Sequence, residues 1–349
     1  MTLLDEIRAQ PDAAARFLDR QLGNVAAIAD NIRARAPRFV LIASRGTSDH
    51  AAVYAQYVLG IRNRLPVALA APSMFSLFEA PPRIADALVI GISQSGESPD
   101  IVAVLDEARR QGAPSIAITN ETASPLAGAA DHVLPLEAGP ERAVAATKTY
   151  TAQLLAIAAL SAALDHDTAG EARGGDATAL RSVPAAIAGA LATADAADAT
   201  AIRLADATRV AVIGRGYEYA TARELALKIQ ELAHVMAHAW ASPDFEHGPL
   251  ALLEPGFPVL AIVSDDAAGD LLLPLLRRVR DGLGAEVAVI TSRADAGDLA
   301  PIRVSPELPS WLAPISSIVP GQLLAYHLAR GRDLDTEHPR SIAKVTRTR

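Results

Sequence analysis

Short apolar runs rich in Val, Ile and Ala recur along the chain, end on Gly or Ser, and give way to segments with helical spacing of apolar positions. That alternation predicts parallel sheet strands joined by crossover helices that cover both faces. The pattern occurs twice. "RFVLIASRGTSDHAAVYA" from Arg38 matches "TRVAVIGRGYEYATARELA" from Thr208, with Arg45-Gly46 falling on Arg215-Gly216, an offset of 170 residues. "ALVIGISQSGESPDIVAVLDEARRQGAPSIAIT" from Ala87 matches the stretch from Phe257, with Ser93 falling on Ser264, an offset of 171. Two nearly equal offsets in unrelated local words mark a duplicated α/β domain. The polar, glycine-containing stretch from Asp165 to Asp176 reads as a linker. The expected domains are therefore 25–165 and 180–330, with an N-terminal helical segment at 1–24 and a tail at 331–349.

The first copy opens from "ALVIGI" into Ser93, Gln94, Ser95, Gly96 and Ser98, followed by a helix "PDIVAVLDEARRQ" that Gly112 stops. Ser98 suits the N-cap and Pro99 the first helical position. Hydroxyls and unpaired N–H groups at a helix N-terminus favour an anion, and "SRGTSDH" offers Thr47 and Ser48 in the same way. Ser, Gly and Pro also make an ordinary turn. The nucleophile-elbow pattern G-x-S-x-G fits less well, because Ser95 stands where its second glycine belongs. In the second copy the same place holds Ser264-Asp265-Asp266, whose carboxylates would repel an anion, so a phosphate loop is expected in the first copy alone.

The densest chemistry lies between Arg223 and Glu254. On a helix Glu224, Lys228 and Glu231 share one face, with Leu225, Leu227 and Leu232 off it; the same spacing also describes a solvated salt-bridge face. His234 and His238 stand four apart, but the glutamate of H-E-x-x-H and a third ligand are missing, so they read as packing or surface residues and no metal is expected. His247, in "FEHGPL", sits in a turn that can hold a side chain toward a cleft. Near the end, Lys344 is set among Ile342, Ala343 and Val345, a setting that can make an amine nucleophilic toward a carbonyl.

Composition narrows the partners. A net charge of −8 with no basic stripe argues against nucleic acid and leaves a small molecule. The absence of cysteine removes disulfides and a thiol nucleophile and suits a reducing compartment. The longest apolar stretch, Ala152 to Leu164, falls short of the roughly 20 residues a bilayer needs, and the acidic N-terminus does not resemble a signal peptide. A cytoplasmic protein without membrane contact is the expectation.

"SRGTSDH", "ISQSGES", "RAVAATKTYTAQL", "GRGYEYATARELALKIQEL", "FEHGPLALLE" and "HPRSIAKV" together resemble, in order and over nearly the whole chain, the motifs of the double sugar-isomerase (SIS) domain proteins. The pattern is similar to the isomerase half of glucosamine-6-phosphate synthase and to stand-alone SIS-type glucosamine-6-phosphate deaminases. The resemblance implies two tandem SIS domains, each an α/β/α sandwich with a parallel sheet, and a homodimer. It implies that Thr47, Ser93, Gln94, Ser95 and Ser98 bind the sugar phosphate, that Val144 and Ser48 contact the sugar, and that Glu231 moves a proton between C1 and C2. Lys228 and Glu224 would support it, His247 of the other subunit would open the ring, and Lys344 would form a Schiff base. No cofactor is implied. Glu246 stands where the synthase relatives have a lysine. Glucosamine-6-phosphate deamination is the expected activity, with galactosamine-6-phosphate deamination or fructosamine-6-phosphate deglycation on the same scaffold. A non-catalytic sugar-phosphate sensor is the contrasting class; the roughly 35 residues before the first strand are expected to be too few and too acidic for a DNA-binding module. A glutaminase domain with a cysteine nucleophile is not expected, since the sequence has no cysteine.

Overall fold

The first sheet contains β1 (Phe39–Ala43), β2 (Val67–Leu69), β3 (Ala87–Ile92), β4 (Ser115–Thr119) and β5 (His132–Pro135), and the second β6 (Arg209–Gly214), β7 (Met236–Ala241), β8 (Pro258–Val263), β9 (Glu286–Thr291) and β10 (Pro301–Arg303). The structure is a computed structural model that describes residues 1–165, 174–305 and 308–344. Most of the expected linker, 166–173, lies outside the described residues, as does Val345.

Both sheets are wholly parallel. Their orders, β2-β1-β3-β4-β5 and β7-β6-β8-β9-β10, correspond strand for strand, so the duplication read from two sequence offsets is a duplication of topology. The glycines it aligned keep their conformation too: Gly46 and Gly216 have φ of 54° and 60°. Parallel strands are covered on both faces and therefore read as continuous apolar runs; all six residues of β3 are buried. One face of the first sheet packs Leu41, Val89 and Ala117 against Ile101, Val104 and Leu105 of the Pro99–Gln111 helix. On the second sheet, Val259, Ala261 and Val287 meet Leu272, Leu276 and Val279 of the Ala267–Leu283 helix.

The chain groups into two units that do not follow the expected boundaries. The first sheet's unit comprises Asp12–Glu141, Lys148–Arg181 and the tail residues Ala343 and Lys344; the second sheet's unit comprises Met1–Pro11, Arg142–Thr147 and Ser182–Ile342. The helix Gln10–Arg35 runs through residue 25 without a break. Within the second unit, Gln10 donates to Gln322 at 2.8 Å and the Glu6 carboxylate accepts the Arg142 N–H at 2.6 Å. The helix Lys148–Leu164 is almost entirely buried, as its apolar composition predicts. Among the described residues no single helix is long and apolar enough to cross a membrane.

Candidate active site

In the first sheet the chain leaves β1 toward β2 on one side, while β3 lies on the other, which makes the C-terminal ends of β1 and β3 the topological switch point where ligands of open parallel sheets bind. The loops there are the two serine/threonine turns singled out in the sequence. Gly96 has φ +64°, and a Cβ on it would lie 2.1 Å from the Ser124 Oγ, so only glycine makes this turn. Ser93 accepts the Gly96 N–H at 3.1 Å, which ties its hydroxyl into the turn rather than presenting it as a nucleophile. Ser98 occupies the N-cap of the Pro99–Gln111 helix in an extended conformation, yet its side chain makes no capping hydrogen bond. Across the gap, Thr47 starts the Thr47–Arg62 helix, and the Ser48 hydroxyl accepts from Gln153 Nε2 at 2.9 Å. Arg45 joins the two loops through the buried Asp100 at 2.9 Å.

Gln94 and Ser95 share an open cleft of about 370 Å³ with Lys344. The tail lysine and the serine loop, about 250 residues apart in sequence, thus border one space. Glu97 and Glu121 also line it, which sets two carboxylates in the same cleft as the Lys344 amine. Lys344 Nζ donates to Glu141 at 2.6 Å.

The second sheet's switch point is filled from within. Asp266 caps the Ala267–Leu283 helix, accepting the N–H groups of Ala268 at 2.9 Å and Gly269 at 3.3 Å and the Ser264 hydroxyl at 2.6 Å. A carboxylate of the chain takes the donors that an anion would use. The remaining void measures about 20 Å³, room for little more than one water. Glu218 faces this void, and Ser317 and Thr221 donate to it. Burial, with a smaller push from Asp266, raises its carboxyl to about 7 against two hydrogen bonds that lower it.

Because that folded-state value exceeds the unfolded one of 4.5, the stability it contributes is complete below pH 4.5 and is lost as pH rises through about 7. Glu218→Gln should remove this dependence. Urea unfolding of wild type and variant at pH 4.5 and pH 8 is expected to show the variant gaining about 3 kcal/mol relative to wild type across that interval.

The Glu218–Ala233 helix of the same unit carries the charged constellation. Lys228 and Glu224 are fully buried, 3.4 Å apart, and Lys228 also bonds Glu231, whose side chain is 22% exposed. The solvated-face alternative does not hold. Burial pulls the Lys228 ammonium down, but the two carboxylates more than reverse this and hold it above its ordinary range. Leu225 and Leu232 pack in the core as predicted, and Leu227 is half-buried.

His234 and His238 do not share a helix. The helix ends at Ala233, His234 turns the chain with φ 56°, and His238 lies in β7 with its ring 4.3 Å from that of Trp240. No cluster of three metal-ligating side chains exists among the described residues. His247 follows the Ser242–Glu246 helix, exposed on a turn anchored by the fully buried Phe245. Its neighbour Glu246 pairs with Arg278 at 2.6 Å, which gives the departure at that position a local partner. Val144 is half-buried in the segment 142–147. Thus Glu224, Lys228 and Glu231 come together in one unit, which also contains His247 and Val144, and Gln94, Ser95 and Lys344 come together in the other. Sequence reasoning missed Glu141, Arg45 and Asp100, although Glu141 is the carboxylate just ahead of the "RAVAATKTYTAQL" motif.

The SIS domain family pattern matches residues 34–163 and again residues 203–329. The chain belongs to the SIS domain family. Across 353 aligned residues this SIS protein is 35% identical to the isomerizing glutamine–fructose-6-phosphate aminotransferase of Gloeobacter violaceus, over 98% of this chain and 58% of that one. It therefore spans less than two thirds of that curated relative. Among solved structures, the C-terminal domain of glucosamine-fructose-6-phosphate aminotransferase from Francisella tularensis superposes with a TM-score of 0.88 at 25% identity, covering 97% of this chain and 98% of that one. A Silicibacter pomeroyi protein named as a phosphosugar isomerase reaches 0.84 at 33% identity, over 96% of this SIS chain and 100% of its own.

Proposed function

We propose that the protein is a phosphosugar isomerase that converts glucosamine 6-phosphate and water to fructose 6-phosphate and ammonia. The observation that carries this reading is the Glu224–Lys228–Glu231 constellation: an ammonium locked between two carboxylates, of which only Glu231 reaches solvent. In the open-chain sugar Glu231 takes the proton from C2 and returns it to C1 while a proton of the amine passes to O1, which turns the aldehyde-amine into a C1 alcohol and C2 imine. Water then releases ammonia, either directly or after the Lys344 amine has displaced it and formed its own imine at C2. His247, in the proposed homodimer the partner subunit's, assists ring opening; its exposed position supports that role. Thr47, Ser93, Gln94, Ser95 and Ser98 hold the phosphate, with Ser48 and Val144 against the sugar. The contrast between the uncapped Ser98 turn and the Asp266-capped turn supports assigning the phosphate to the first copy. Phosphate binding away from the reacting carbons orients the chain of the sugar.

The test is ammonia release by purified protein on glucosamine 6-phosphate, galactosamine 6-phosphate and a fructosamine 6-phosphate adduct of an amino acid. Turnover of the first is expected; turnover of one of the others alone moves the assignment to that sugar. Binding without turnover, seen as a raised melting temperature, makes the protein a sensor. Ser95→Ala should raise the KM for the aminosugar phosphate about tenfold while kcat changes little, as loss of one charge-assisted hydrogen bond implies.

A further inference from the structure

Glu141 is a fully buried carboxylate that the Schiff-base chemistry of Lys344 does not by itself explain. It accepts the Thr149 N–H at 3.1 Å, the Thr149 hydroxyl at 2.7 Å and the Lys344 ammonium at 2.6 Å. Both residues belong to the first sheet's unit, and Lys344 borders the cleft that holds Ser95. Charged groups near the pair include Lys148, whose Nζ donates to the Pro140 carbonyl at 2.6 Å, and the cleft carboxylates Glu97 and Glu121. At neutral pH a lysine amine is an ammonium, and an ammonium has no lone pair with which to attack a carbonyl. The group positioned to take its proton is the one that already holds it.

We infer that Glu141 is the positioning and proton-relay residue of Lys344: it docks the tail lysine beside the serine loop, takes its proton as the amine attacks, and returns that proton to the departing hydroxyl. This rests on the reading above that Lys344 forms an imine with a keto sugar phosphate. The step balances. The ammonium gives one proton to Glu141; the freed lone pair forms the N–C2 bond while the carbonyl π pair moves to oxygen, which takes a proton from the nitrogen. Glu141 then returns its proton to that hydroxyl, the C–O bond breaks, and water leaves. The products are the lysine iminium and water, with Glu141 again a carboxylate facing a cation.

The experiment uses the whole chain and fructose 6-phosphate, with borohydride trapping of the imine followed by intact mass from pH 7 to pH 9. Wild type should give one adduct, absent in Lys344→Met, at a rate that is flat over this window because the proton acceptor is internal. Glu141→Gln keeps the shape and an oxygen for Thr149 but cannot take the proton. Its trapping rate should be at least tenfold lower at pH 7 and climb about tenfold per pH unit toward the ordinary lysine pKa of about 10.4, so that the deficit closes in alkali. Glu141→Asp should restore the flat profile.

A Glu141→Gln profile equal to wild type, or displaced equally at every pH, overturns the relay while leaving the imine reading standing. A wild-type rate that already climbs tenfold per unit from pH 7 to pH 9 overturns it without any variant. No adduct in wild type overturns the imine reading, and the relay with it.

Discussion

Glu231→Gln should lower ammonia release from glucosamine 6-phosphate by about 10²–10⁴-fold, the contribution of a positioned general base, with KM changed only a few-fold. The substitution is close to isosteric, and the amide oxygen can still accept from Lys228, so the melting temperature should move little. Glu231 is singled out by exposure, not by charge. Glu224 carries the same group on the same helix face but is fully buried beneath Lys228, whereas Glu231 keeps 22% of its side chain open. A proton can reach a substrate carbon only from a carboxylate with such an opening. Retention of more than a tenth of wild-type activity would assign the base elsewhere. A fall in KM together with kcat would point instead to a change in substrate binding.

The features that sequence made legible were local or periodic. Apolar runs located the strands, Gly112 marked the helix stop it forms in the structure with φ 73°, and two near-equal offsets disclosed a repeated topology. Helical spacing brought Glu224, Lys228 and Glu231 to one face because i, i+4 and i+7 depend only on the helix period. Partners far apart in sequence were not legible. Lys344 and Glu141 are 203 residues apart, and Arg45 and Asp100 are 55 apart; nothing in either local stretch specifies the other. The same limit applied to Asp266. Its sequence position suggested repulsion of an anion, but only the fold shows the carboxylate seated on the helix N–H groups, taking the anion's place. The i, i+4 spacing of His234 and His238 carried no helical meaning for a related reason: the spacing does not mark where the chain turns, and His234 itself makes the turn. Unit membership was the least legible of all, since the first eleven residues and the tail residues Ala343 and Lys344 each belong with the sheet more distant in sequence.

Lys228→Met should cost about 3–5 kcal/mol of stability near neutral pH, the range for removing one partner of a buried ion pair. Methionine replaces the aliphatic stem with little change of volume, so the cost arises from Glu224, a fully buried carboxylate that has lost its ammonium. Urea unfolding of wild type and variant at pH 7 measures the loss, and a second substitution separates it from simple misfit. The double variant Glu224→Gln with Lys228→Met should recover most of the loss, since it leaves only the partly exposed Glu231 carboxylate charged. It should remain inactive all the same, because Glu231 will have lost the ammonium that orients it. Recovery of stability without recovery of turnover would place the value of this buried pair in holding Glu231 rather than in holding the fold.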